Sequence, residues 1–120
     1  MTNQEVFDKC LSHLRKQGKK SVDPHNQWQC MYRGGMGRMC AIGALIPDEL
    51  YQTCFENKTI YSLLGNHPEI KEHFDGVNPD VLVHLQDVHD SANNYDFLNS
   101  MEQGMHEVAY KFGLQYTPQA

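Results

Sequence analysis

Residues 27–50 read Gln-Trp-Gln-Cys-Met-Tyr-Arg-Gly-Gly-Met-Gly-Arg-Met-Cys-Ala-Ile-Gly-Ala-Leu-Ile-Pro-Asp-Glu-Leu. This stretch contains the sole tryptophan, two of the four cysteines and the densest cluster of glycines in the chain. Apolar and polar side chains alternate from residue 27 to residue 33, as in a half-buried strand. The glycines that follow permit a tight reversal of the backbone. The stretch therefore predicts a β-hairpin over residues 27–46.

The register of this hairpin is predicted from burial. If Arg33 faces Met39, one apolar face collects six side chains, which are those of Trp28, Cys30, Tyr32, Cys40, Ile42 and Ala44. A shift of one residue would break up that face, so we expect the first register. It makes Cys30 and Cys40 diagonal neighbours. Diagonal pairs lie at or beyond the usual disulfide span, and we therefore expect no bridge between them.

Helices are predicted in most of the remaining chain, because apolar residues recur there at three- and four-residue intervals between capping residues. The expected ranges are 3–17, 47–54, 59–64, 68–74, 79–90 and 94–112. Together with the hairpin they predict an α+β fold, a mostly helical single domain over residues 1–120 with one central β-hairpin. The core is expected to include Trp28, Tyr32, Ile42, Leu85, Leu98 and Phe112.

Composition limits the functions to be considered. No apolar run is long enough to span a bilayer, and the first residues lack the pattern of a secretory signal, so we expect a cytoplasmic protein with reduced thiols. The formal net charge of −5 argues against binding to duplex nucleic acid. A basic segment at Arg15, Lys16, Lys19 and Lys20 is interpreted as a solvated helix end. No cofactor is expected, and no membrane partner.

Several runs in the chain resemble a group of small uncharacterised proteins of phages and bacteria. They are Val6-Phe7-Asp8-Lys9, His13-Leu14-Arg15, Tyr32-Arg33-Gly34 with Gly37, Cys40-Ala41-Ile42-Gly43, Leu45-Ile46-Pro47-Asp48-Glu49, Leu85-Gln86 and His89-Asp90. The resemblance spans most of the chain. It implies no activity, cofactor or active site. What it implies is a setting among phage or prophage genes, whose small acidic products often act on host proteins.

Two kinds of chemical site can be drawn from the reactive residues. Cys40, with His89 as base and Asp90 or Asp87 as the orienting group, would form a thiol-dependent hydrolase or deamidase. Cys30, Cys40 and His89 could instead hold zinc, although their spacing is not that of a structural zinc site. A structural interpretation competes with both. His89 follows Leu82 and Leu85 on one helical stripe and could turn inward to bond a carbonyl or Asp90.

The remaining candidate is a binding surface at the outer face and tip of the hairpin. Methionine and arginine, which are enriched at protein interfaces, cluster there as Met31, Arg33, Met36, Arg38 and Met39. The sequence thus favours a small cytosolic interaction domain of phage type. We expect it to bind a host protein or a second copy of itself through the hairpin face. The thiol enzyme and the zinc-stabilised binding module are the alternatives.

Overall fold

A computed structural model of the chain describes residues 1–119. It shows a mostly helical α+β single domain with a two-stranded antiparallel hairpin, the fold class that the sequence predicts. In chain order its elements are α1 (Asn3–Gln17), β1 (Val22–Asp23), β2 (Asn26–Cys30), α2 (Ile60–Asn66), α3 (Pro68–His73), α4 (Pro79–Ser91) and α5 (Phe97–Phe112). Short 3₁₀ turns cover Gly35–Gly37, Gly43–Leu45 and Thr53–Phe55. None of the helices in residues 1–119 is both long enough and apolar enough to cross a bilayer.

The core lies where α1 packs against α4 and α5. Helix α1 begins and ends where the sequence predicts: Thr2 and Glu5 form a reciprocal capping box, and Gly18 ends the helix with a φ of 69°. Its apolar stripe, from Val6 to Leu14, is buried. Opposite it lie buried residues of the two C-terminal helices, which are Val81, Leu82, Leu85, Met101, Met105, Val108 and Ala109.

The position of the hairpin differs from the prediction over residues 27–46. The observed partner of β2 is β1, and Asp23 pairs with Asn26 across a two-residue connection of Pro24 and His25. The Asp23 side chain accepts a hydrogen bond from the His25 amide at 2.7 Å. Proline and aspartate both favour such a turn, but residues 22–26 lie outside every strand and helix that the sequence predicts.

The expected second strand does not form. Arg33 does pair with Met39, as predicted, but only as an isolated bridge. After it the chain turns into the 3₁₀ segment Gly43–Leu45, and Cys40, Ala41, Ile42 and Gly43 are all buried in succession. A half-buried strand exposes every second side chain, so this continuous burial beneath α1 lacks the alternation that the predicted strand required. Gly43 is required here, because a Cβ would overlap the carbonyl oxygen of Tyr32.

Other elements also differ from the prediction. Residues 47–54 form turns and part of a 3₁₀ segment instead of a helix, and α5 begins at Phe97, three residues later than expected. Of the six expected core residues, Tyr32, Ile42 and Leu85 are buried and Phe112 is partly buried. Trp28 and Leu98 are exposed. All four cysteines are free thiols, and the expected absence of a Cys30–Cys40 bridge agrees with this.

Candidate functional site

His89 lies at the centre of a buried polar junction between α4 and the start of the hairpin. Its side chain is fully buried on α4. Its Nε2 atom accepts a hydrogen bond from the backbone amide of Ser21 at 2.8 Å, and its Nδ1 atom lies 2.7 Å from Oδ1 of Asp90. Ser21, also buried, accepts a bond from the Met31 amide and donates its hydroxyl to the Arg38 carbonyl. The junction therefore joins α4 to both arms of the hairpin region.

These contacts fix the tautomer of His89. An amide N–H can only donate, so Nε2 must present its lone pair to Ser21, and Nδ1 then carries the proton that it donates to Asp90. Both ring nitrogens are thereby engaged. The arrangement agrees with the structural interpretation of His89 as an inward-facing residue that bonds Asp90.

The expected catalytic residues Cys40, His89 and Asp90 do not form a reactive set. Cys40 is fully buried, and burial raises the pKa of its thiol to about 12. Its sulfur accepts a hydrogen bond from the Gly43 amide at 3.2 Å, and the two ring nitrogens of His89 are bonded to other partners. A nucleophilic thiolate needs exposure, which Cys40 lacks, and a free basic atom, which His89 with both ring nitrogens engaged does not offer.

The expected metal ligands are only partly brought together. Ligand atoms of Cys30, His89 and Asp90 lie within 4.8 Å of one another, whereas Cys40 is not part of this group. Burial, and secondarily the carboxylate of Asp90, raises the pKa of Cys30 to about 11. A metal bound at Nδ1 of His89 would displace the proton that the Ser21 contact places there. The group is thus better suited to hydrogen bonding than to holding zinc.

Of the five expected binding residues, Arg33 is turned inward. Its guanidinium donates to the Ile46 carbonyl at 2.7 Å, pairs with Asp48 at 2.7 Å and lies 4.6 Å from the ring centroid of Tyr51. The Arg33 amide donates to Glu56 at 3.1 Å. We expected this side chain to remain in water, but it holds residues 46–56 against the end of β2.

The other four divide between the interior and the surface. Met31 and Met39 are partly buried, and the backbone of Met39 is held to α1 by His13 and Gln17. Met36 is 90% exposed in the loop of residues 34–38, which we call the tip, and its φ of 60° places a non-glycine residue in the left-handed region. Arg38 is partly exposed beside it. Of the five, Met36 is therefore the one with a largely exposed side chain, while Met31, Arg38 and Met39 are each partly buried.

An open groove lies beside this tip, where the end of α1, the hairpin and the α4–α5 connection meet. We call it the Trp28 groove. It has a volume of about 910 Å³, and the lining side chains that matter here are those of Lys19, Lys20, Trp28, Arg38, Tyr95 and Leu98. Trp28 is 77% exposed, Tyr95 99% and Leu98 45%. The groove therefore brings three exposed apolar side chains together, a feature that protein-binding sites share.

The charge of the groove is opposite to that of the whole chain. A shallower depression, lined by Lys16, Lys19, Met36 and Arg38, continues from it toward the tip. The two together contain four of the ten lysines and arginines but only one of the fifteen carboxylates, Asp96. Within residues 1–119, Arg15 and Arg33 have carboxylate partners, and these four cations, like the remaining lysines, have none. Lys20 bonds only a neutral group, the Asp90 carbonyl.

Sequence reasoning missed most of this surface. Trp28 was assigned to the core because it continued the alternation of Cys30 and Tyr32, and Leu98 because it matched a helical stripe. Lys19 and Lys20 were noticed as a basic segment, but nothing in the sequence placed them beside residues 95–98.

Comparison of the chain with protein-family models, curated proteins and solved structures finds no match.

Proposed function

We propose that this protein is a small interaction domain that binds another protein through the hairpin side of the molecule, at the Trp28 groove and the adjoining tip. The observation that supports the proposal is the exposure of Trp28 and Tyr95 in the groove and of Met36 in the depression beside it. Tryptophan, tyrosine and methionine are enriched at protein interfaces, and the first two supply a large share of binding energy where they are buried by a partner.

The conformation of Met36 supports the same proposal. A left-handed backbone is unfavourable for a residue with a side chain, and glycine would adopt it freely. The neighbouring Gly37 has that freedom, with a φ of 72°. A strained, exposed methionine at the tip contributes little to the core, and such strain is often retained at functional positions.

The setting we propose is that of a phage-type protein acting on a host protein in the cytoplasm. The sequence resemblance supports the phage origin, and the four free cysteines support a reducing compartment. The thiol enzyme receives no geometric support, because Cys40 is buried and its thiol pKa is raised. The zinc module receives little geometric support. The Ser21 amide donates to Nε2 of His89, so the proton lies on Nδ1, where a metal would have to bind.

The experiment that tests this function is site-specific photocrosslinking in lysate of a bacterial host. A crosslinking amino acid replaces Gln27, which is exposed and lines the groove, so that Trp28 is retained. The control replaces Tyr110, an exposed aromatic residue about 18 Å along α5 from Leu98. We expect a discrete adduct with one other protein from position 27 and none of that mass from position 110.

Competition makes the result specific to the surface. Excess unmodified protein and excess Tyr110→Ala should both suppress the adduct, whereas excess Trp28→Ala should not. Equal suppression by all three competitors would contradict the proposal. An adduct with the mass of two copies of this chain would instead establish self-association as the activity.

A further inference from the structure

We propose that the Trp28 groove recognises an acidic protein segment that carries an apolar anchor residue. This inference rests on the proposed function and specifies the chemistry of the partner. The partner that we propose is a flexible or protruding acidic segment of a protein, not nucleic acid or a second copy of this chain.

The first argument is charge complementarity. Lys16, Lys19 and Lys20 lie close together at and just after the end of α1, and Arg38 joins them from the other side of the Trp28 groove and its adjoining depression. None of the four has a carboxylate partner within residues 1–119. The chain as a whole has a formal net charge of −5, so this local excess of positive charge is not a consequence of composition. Opposite charges at an interface steer association and favour the matching partner.

The second argument is the apolar wall of the groove. Trp28 lies on β2, while Tyr95 and Leu98 lie on the α4–α5 connection and the first turn of α5. Together they provide both aromatic and aliphatic surface next to the cations. An anchor side chain placed against Trp28 would be desolvated there while flanking carboxylates reach Lys19, Lys20 and Arg38. A buried apolar anchor with a charged rim is the usual arrangement of a protein interface.

Single-stranded nucleic acid is the main rival, since aromatic rings and cations together also bind bases and phosphates. Two observations favour the protein segment. Leu98 and the nearby Met36 add aliphatic surface, which suits a side chain better than a stacked base. In addition, four cations on a chain with net charge −5 give a weak field for a polyanion with one charge on every nucleotide.

The sole tryptophan of the chain is a built-in reporter for the test. Because Trp28 is 77% exposed, burial by a ligand should shift its fluorescence to shorter wavelength. The probe is a synthetic peptide with glutamate and aspartate on both sides of a Leu-Phe pair. One control peptide has glutamine and asparagine in place of the acids, and another has Ser-Ser in place of Leu-Phe. Oligothymidine tests the nucleic-acid rival.

We expect a saturable blue shift with the acidic apolar peptide and affinities at least tenfold lower for both control peptides. Lys19→Gln with Lys20→Gln should weaken binding of the acidic peptide about tenfold, since each removes one ion pair at the rim. The matched control is Lys58→Gln with Lys71→Gln. It removes the same charge from exposed positions that do not line the groove and should leave the affinity unchanged.

Each other result would overturn the inference. Equal binding of the neutral peptide would exclude charge recognition, tighter binding of oligothymidine would establish a nucleic-acid site, and a blue shift on concentrating the protein alone would show a second copy in the groove. Failure of all the probes, combined with a specific adduct from position 27, would refute the acidic partner and leave the proposed function intact. Loss of that adduct as well would refute both.

Discussion

Arg33 shows how the surroundings of one side chain decide its role. Its guanidinium bonds the Ile46 carbonyl, pairs with Asp48 and stacks on Tyr51. Arg33→Gln leaves that carbonyl without its charged donor and removes the stacking, so we expect the free energy of unfolding to fall by about 2 kcal/mol. Urea denaturation followed by circular dichroism measures the change. Arg38→Gln is the matched control and should lower stability by less than about 0.5 kcal/mol. Equal losses would mean that Arg33 is not a structural residue.

The four thiols should differ sharply in reactivity. Cys54 is exposed, whereas Cys10 and Cys40 are buried and burial raises the pKa of both thiols. Only the thiolate reacts quickly with a disulfide reagent such as Ellman's reagent. We expect Cys54 to react at once in the native protein. In a Cys30→Ser, Cys54→Ser variant, the two remaining thiols should react only as fast as the protein unfolds. Rapid modification of Cys40 in that variant would revive the thiol-enzyme alternative.

At the scale of elements, two glycines outside the tip should respond in opposite ways to alanine. A Cβ at Gly43 would overlap the Tyr32 carbonyl where the 3₁₀ segment crosses the end of β2, whereas a Cβ at Gly65 in α2 meets nothing within 4 Å. We therefore expect Gly43→Ala to destabilise the protein by about 3 kcal/mol or more. Gly65→Ala should stabilise it by up to about 1 kcal/mol through helix propensity. Thermal unfolding of the two variants checks both signs, and equal midpoints would contradict the described packing.

Five of the six predicted helices form, because their signals are local, whereas the one predicted over residues 47–54 does not. Thr2 with Glu5, Thr59 and Asn78 each cap the helix that follows them, and Gly18 and Gly113 end helices in the left-handed conformation. Each signal acts within a few residues of itself and does not depend on the rest of the fold.

The hairpin could not be located in the same way, because the choice of strand partner is a tertiary decision. The alternation through Trp28, Cys30 and Tyr32 predicts a strand correctly but says nothing about what pairs with it. Val22 and Asp23 pair with β2, because the tight turn at Pro24 brings them beside it. Residues 40–46 do not pair with β2, because α1 and α4 bury consecutive side chains there. For instance, the Ala41 carbonyl accepts a hydrogen bond from the Cys10 thiol, and the Ile42 amide donates one to Gln86.

The candidate surface was predictable only in part for the same reason. Met36 and Arg38 were found because they flank the glycine turn in sequence. Trp28 was misplaced because the alternation of a strand does not tell whether another element packs over a given face of it, and the Trp28 side chain on β2 is exposed. Tyr95 and Leu98 join the groove only through the packing of α4 against α5.

At the scale of the whole molecule, net charge is a poor guide to this protein's surface. The value of −5 describes the sum of fifteen carboxylates and ten cations, while the distribution concentrates four cations at one groove. An acidic chain with a basic groove can remain soluble through its overall repulsion and still attract an acidic partner locally. A basic groove on an acidic chain therefore agrees with the proposed interaction function better than a surface of a single sign of charge would.

The first and last helices, α1 and α5, are joined through a charged contact. Arg15 forms a two-bonded pair with Glu102, with nitrogen–oxygen distances of 2.6 and 2.7 Å, and the Tyr116 hydroxyl donates to the same carboxylate at 2.6 Å. Arg15 also bonds the Thr117 carbonyl. The hydrogen bond from Arg15 is the main reason that the pKa of Glu102 is lowered. This contact therefore stabilises the folded protein only while Glu102 is ionised.

The pH dependence of stability follows from that direction. Since the pKa of Glu102 is lower in the folded state than in the unfolded chain, its contribution is complete above the ordinary carboxyl pKa and is lost as the pH falls through the lowered value. Glu102→Gln should cost about 1 kcal/mol at pH 7, because the pair is partly exposed. The difference from the unmodified protein should shrink toward zero below about pH 4. Glu107→Gln removes the same charge from an exposed position of α5 and should show little loss at either pH. Denaturant titrations of the three proteins at pH 7 and at pH 3 measure these differences, and a loss for Glu102→Gln that persists unchanged at pH 3 would show that the carboxylate is not what joins the two helices.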